Sequence, residues 1–110
     1  MKDKMEEVFS LQKSFEEMMN LDRYPEDVEG KVSALCTAMI HEAVELQRTT
    51  NWKWWKKPVP FNQDNAREEL IDIWHFLIQA SIELGLTPDD ILKEYQRKNE
   101  INRQRQKDGY

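Results

Sequence analysis

Two pairs of carboxylates, each spaced three residues apart inside an apolar stretch, constrain this chain more than any other feature. Glu42 and Glu45 lie in the run HEAVEL, and Glu69 and Asp72 lie in EELIDIWHF. Helical spacing sets both members of a pair on one face. Val32, Leu35, Met39 and Leu46 follow a three-four spacing, and Glu42 fills the gap in that stripe. Glu69 and Asp72 sit in or beside the stripe of Ala66, Leu70, Ile73, Phe76, Leu77, Ala80 and Leu84. Carboxylates on core stripes are costly unless paired or bound to metal. Four of them brought together repel. A divalent cation is the simplest compensation, and oxygen donors suit Mg²⁺, with Mn²⁺ as a substitute.

The rest of the chain agrees with an all-α fold. Only 3 Gly and 4 Pro occur in 110 residues, too little punctuation for a turn-rich β fold. Periodicity predicts a first helix over about 3–20, with Met5, Val8, Phe9, Leu11 and Phe15 on its stripe. A Tyr-Pro break follows in LDRYPEDVEG, then a second helix over about 29–49. The segment NWKWWKKPVPFN reads as a structured loop. Asn62 is positioned to cap a third helix that runs to about Leu84, with Gly85 closing it. Thr87, Pro88, Asp89 and Asp90 have the order of a helix start, and the fourth helix turns polar along QRKNEINRQRQKDGY. We expect one four-helix, bundle-type domain over residues 1–110.

Composition narrows the function. Net charge is −5 and mean hydropathy is −0.85. A surface of that sign does not attract nucleic acid, and no apolar run has the length of a membrane span. Cys36 stands alone, which leaves no internal disulfide and fits a cytoplasmic setting. The third helix carries Ile71, Trp74 and Ile78 on a different face from Ile73, Leu77 and Leu84. A helix with two apolar faces must be covered on both sides. A homodimer, or a dimer of dimers, is the expected way to cover them.

Other constellations bear on chemistry. Trp52, Trp54 and Trp55 interleave with Lys53, Lys56 and Lys57. That pattern serves either as a lid over a small core or as a π face and charge for a nucleotide. Arg97, Lys98, Asn99, Asn102, Arg103 and Arg105 form a basic and amide-rich tail that reads as a solvated helix or as a grip on polyphosphate. A di-iron bundle wants Glu-x-x-His on two helices. The chain has only Asp72 and His75 in that spacing, so an all-oxygen site is better supported. A non-catalytic helical oligomerisation module is the reading from another class. Such a module has no need to place four carboxylates on core stripes.

LQKSF, HEAVEL, NWKWWK, EELIDIWHF and KNEINRQRQKDGY, in this order, together resemble the all-α nucleoside triphosphate pyrophosphohydrolases, the MazG-like superfamily. Within it the chain is most similar to the dimeric-type dUTPases. The resemblance implies Mg²⁺-dependent hydrolysis of dUTP to dUMP and pyrophosphate. It implies that Glu42, Glu45, Glu69 and Asp72 hold metal and that one of the glutamates orients or deprotonates the attacking water. It places Lys53, Lys56, Lys98 and Arg103 on phosphates, with Asn99 and Asn102 beside them. Gln12 and Trp52 fall near the base, and Glu16 and His75 join the substrate-binding set. The dimeric dUTPases carry an Asn near the position of Glu16. A glutamate accepts from the uracil N3–H but does not donate to its carbonyls, and it accepts equally from the cytosine amino group. dCTP, or a broader set of nucleotides, is therefore the alternative substrate.

Overall fold

Asp3, Asp27, Asn62 and Thr87 each open a helix, and each does so by accepting a backbone N–H from three residues downstream. The computed structural model describes residues 3–109, and helices are its only regular elements among them. In chain order they are α1 (Lys4–Met18), α2 (Val28–Gln47), α3 (Gln63–Glu83) and α4 (Pro88–Lys107). The ends fall within a residue or two of the sequence expectation, and local chemistry accounts for the differences. Asp3 caps α1 instead of joining it, because its carboxylate accepts from Glu6 N at 2.9 Å. α2 closes at Gln47, where the Thr49 and Thr50 hydroxyls donate to the carbonyls of Leu46 and Gln47.

The turn between α3 and α4 follows from two residues. Gly85 adopts φ +76°, a left-handed conformation open to glycine. Gly85 N donates to Ile82 O and Leu86 N donates to Ser81 O, which completes a Schellman closure of α3. Thr87 and Asp90 then exchange hydrogen bonds as a capping box that starts α4.

α2 and α3 form an antiparallel hairpin and make the main helix–helix contact, with α1 laid along α3. Among the helices α4 touches only α1 and buries none of its residues. The buried apolar side chains are Phe9, Leu35, Ile78 and Ala80. The second face of α3 is open, with Ile71 52% and Trp74 43% exposed, while Leu11 and Phe15 of α1 stand exposed beside it. The cleft these side chains line measures about 620 Å³ and is almost wholly apolar. The radius of gyration is 17.5 Å. A compact domain of this length would have one of about 13 Å. No helix among the described residues is long and apolar enough to cross a membrane.

Gly30 sits in the first turn of α2, where alanine ordinarily adds helix stability. Here a Cβ would lie 2.7 Å from Asp27 Oδ1 and 2.9 Å from Pro25 Cβ. The first atom belongs to the capping carboxylate and the second to a rigid ring. Gly30→Ala should therefore destabilise the chain by about 1 kcal/mol net, read as a lower thermal midpoint. A raised midpoint would show that the cap relaxes freely.

Candidate active site

The antiparallel register of α2 and α3 places the carboxylate pairs against each other. One end of the register is marked by Lys31 and Glu83, whose charged atoms lie 4.0 Å apart. Three to four helical turns further along, Glu42 of α2 meets Glu69 and Asp72 of α3. Each of these three carboxylates offers an oxygen within 4.8 Å of the others. Glu42 and Glu69 are half-buried and Asp72 is exposed. Partial burial raises the Glu69 pKa, and the charges of Asp72, Glu42, Glu45 and Glu68 raise it further. Glu45 thus acts on the cluster from its edge. Its own carboxylate lies 3.7 Å from Arg48 on the solvent side.

An all-oxygen donor set this close suits a hard divalent cation of the Mg²⁺ or Mn²⁺ kind. A bound cation would offset the repulsion between like charges at this separation. Glu42, Glu69 and Asp72 would hold the ion, with Glu45 adjacent.

A cleft of about 650 Å³ opens beside the carboxylates. Glu42 and Asp72 line one part of it. Gln12, Glu16, His75 and Gln79 supply its other polar groups, and Phe15 and Phe76 are among its apolar ones. His75 Nδ1 lies 3.0 Å from the Ile71 carbonyl oxygen. A carbonyl only accepts, so Nδ1 donates in this contact. Glu16, Glu42 and Asp72 give the cleft its carboxylate acceptors.

The Trp-Lys loop closes the end of the hairpin nearest Glu45 and Glu69. Asn51 holds it shut: its Nδ2 donates to Val59 O and its Oδ1 accepts from Val59 N, both at 2.9 Å. Inside, Trp55 meets Trp52 and Trp54 edge-on, with centroids 5.8 and 4.6 Å apart. Lys53 Nζ stands 5.4 Å from the centre of the Trp52 ring. Trp52, Lys53 and Lys56 line another cleft with Arg48 and Lys57, separate from the one that Glu42 and Asp72 line. Lys98, Asn99, Asn102 and Arg103 lie on α4, are exposed, and line neither cleft. On the same helix Arg97 is engaged with Glu94 at 2.9 Å.

The structure adds residues that sequence reasoning passed over. Tyr24, Gln79 and Glu83 join Gln12 in a chain of hydrogen bonds that starts at the cleft wall and ends behind it at Glu83. One signal was available. Gln79 lies between Ile78 and Ala80, a polar break in an apolar segment of the same kind as Glu42.

Comparison with known proteins fits this arrangement. A family model described as dUTPase matches residues 4–88 and, in a second segment, 79–110. A dCTP pyrophosphatase of Enterobacteria phage T4 is 32% identical over 78 residues, covering 60% of this chain and 46% of the relative. A dCTP pyrophosphatase of Enterobacteria phage LZ5 is 35% identical over 78 residues, covering 60% of this chain and 45% of the relative. The match thus spans about half the length of these curated relatives. No solved structure matches the chain.

Repulsion within the cluster has a measurable consequence. In metal-free buffer Glu69→Gln should raise the thermal midpoint, because it removes one charge from the cluster. Mg²⁺ should raise the midpoint of the unsubstituted chain and have a much smaller effect on the variant. Equal Mg²⁺ shifts in both proteins would take Glu69 out of the cation site.

Proposed function

Because the chain belongs to the dUTPase family, we propose that it hydrolyses a pyrimidine deoxynucleoside triphosphate to the monophosphate and pyrophosphate with the help of a divalent cation. The observation that carries this reading is the convergence of Glu42, Glu69 and Asp72 at the rim of a nucleotide-sized cleft. A bound Mg²⁺ would offset polyphosphate charge and favour ionisation of the attacking water. The residues of the chain do the rest. Glu42, Glu69 and Asp72 are assigned to the cation, and one of the glutamates Glu42, Glu45 and Glu69 to orienting the attacking water and taking its proton. Lys53 and Lys56 of the loop are assigned to phosphate; Trp52 lies with them, in a cleft apart from the one that Gln12 lines, so shielding of the base by Trp52 is not part of this reading.

The base has two readings. dUTP follows from the family resemblance. dCTP is favoured by the Glu16 carboxylate in the cleft lining, an acceptor that suits an exocyclic amino group better than a ring carbonyl. The two phage relatives are named dCTP pyrophosphatases, which supports the second reading.

We assign a second copy of the chain to the apolar cleft between α1 and α3. The open face of Ile71 and Trp74 and the expanded radius of gyration both support that occupant. In that assembly α4 of a neighbouring copy delivers Lys98, Asn99, Asn102 and Arg103 to the polyphosphate.

A turnover screen over the common ribo- and deoxynucleoside triphosphates tests the activity. We expect pyrophosphate release from dCTP or dUTP with Mg²⁺, and a loss of more than about 100-fold in Glu69→Gln. Release of orthophosphate alone, or no turnover of either pyrimidine nucleotide, would defeat the reading. Sedimentation at micromolar concentration tests the assembly. A dimer or larger species is expected, and a stable, active monomer would count against a shared site.

A further inference from the structure

Along the wall of the cleft runs a polar chain that cation binding does not use. Gln12 Nε2 donates to Gln79 Oε1 at 3.0 Å. Gln79 Nε2 donates to Glu83 Oε2 at 3.3 Å. The Tyr24 hydroxyl donates to the same Glu83 oxygen at 2.5 Å, and Lys31 Nζ lies 4.0 Å from it. Gln12 and Gln79 are only 9% and 6% exposed, so a broken link here would strand a buried amide.

The direction of this chain is set by chemistry at one end. A carboxylate accepts and does not donate, so Glu83 takes the NH₂ end of Gln79. Gln79 is then left with its carbonyl oxygen facing Gln12, and Gln12 must turn its own NH₂ toward it. The Gln12 Oε1 is not consumed by these bonds. Tyr24 reinforces the direction: burial and the Glu83 carboxylate hold its phenol above the ordinary range, so it remains a donor.

Gln12 and Gln79 line the same cleft as Glu42 and Asp72. Asp72 and Gln79 are two turns apart along α3, about 10 Å. That distance is comparable to the reach of a nucleotide from its first phosphate to the edge of its base. With phosphates at the carboxylates, the base meets Gln12.

We propose that Glu83 is a positioning residue for base choice: through Gln79 it fixes the Gln12 amide with its carbonyl oxygen offered to the base, so that the cleft favours the amino group of cytosine over the carbonyl of uracil. The proposal rests on the pyrimidine nucleotide reading and deepens it. Glu83 touches neither substrate nor cation in this role, and Tyr24, although it lines the cleft, is assigned no contact with substrate. They act by holding the polarity of two amides.

The test compares two substitutions. Glu83→Gln replaces a pure acceptor with a group that can also donate, so both directions of the chain become available. The ratio of kcat/KM for dCTP to that for dUTP should fall by about ten-fold, chiefly through KM, with the Mg²⁺ dependence unchanged. Tyr24→Phe removes a donor but leaves the carboxylate, so the ratio should stay within about two-fold. The same ratios are read as equilibrium affinities for dCMP and dUMP, which need no turnover. An unchanged ratio in active Glu83→Gln, or an equal fall in both variants, overturns the relay and leaves the hydrolase reading standing. A binding ratio that moves as expected in a chain without turnover supports the relay and defeats the hydrolase. Failure to bind either monophosphate overturns both. Side-chain amide NMR of the unsubstituted chain gives a check that survives a folding defect in the variant. Gln79 NH₂ protons should show NOEs to Glu83, and the reverse arrangement, with those protons turned to Gln12, would overturn the proposal.

Discussion

Everything that makes this chain chemically interesting depends on the antiparallel packing of α2 on α3 in one register. Lys31 sits opposite Glu83 at one end, and Glu42 meets Glu69 and Asp72 toward the other. A slip of one helical turn would move each carboxylate about 5 Å along the axis and disperse the cluster. The ion pair at the far end and the clasped loop at the near end both oppose that slip. Apolar burial alone would not, since Phe9, Leu35, Ile78 and Ala80 make a small core. Polar contacts thus choose the register, and apolar contacts supply the general attraction between the helices.

The same packing sorts charge along the hairpin. Repelling carboxylates are concentrated where the helices approach the loop. Satisfied polar groups lie two turns away, where Gln79 and Glu83 find partners on α1, on α2 and in the connection between them. The cleft between these zones has one end suited to a cation and the other to a hydrogen-bonding ring. A nucleotide triphosphate has the same polarity along its length. On the proposed reading a cation at the carboxylates would neutralise charge locally and leave the surface as a whole acidic, at a net charge of −5.

Much of this was legible in the residues themselves. Caps at Asn62 and Thr87 and the closing Gly85 are local signals, because each is decided within one helical turn. The carboxylate pairs were legible for the same reason, as was the second apolar face of α3. What lay beyond reach were relations between elements. Sequence spacing says that Glu42 and Glu69 each occupy a stripe, but only the axial shift of two helices says that they meet. The Tyr24–Glu83 bond joins a loop to a helix end far along the chain, and no periodicity announces it. The tail residues from Lys98 to Arg103 show the opposite case. Their composition was plain, yet α4 leans on α1 alone, so composition did not fix what they reach.

The clasp made by Asn51 carries a consequence for chemical ageing. One carboxamide serves both the N–H and the carbonyl of Val59, which is possible because it has a donor end and an acceptor end. Asparagine is also among the more labile side chains under heat. Its deamidated form has two acceptor ends and would satisfy the N–H while setting an oxygen against the carbonyl. It would also introduce a negative charge beside Arg48, Lys53 and Lys56. The durability of the loop, and of the end of the hairpin that it closes, is therefore limited by the lifetime of a single amide.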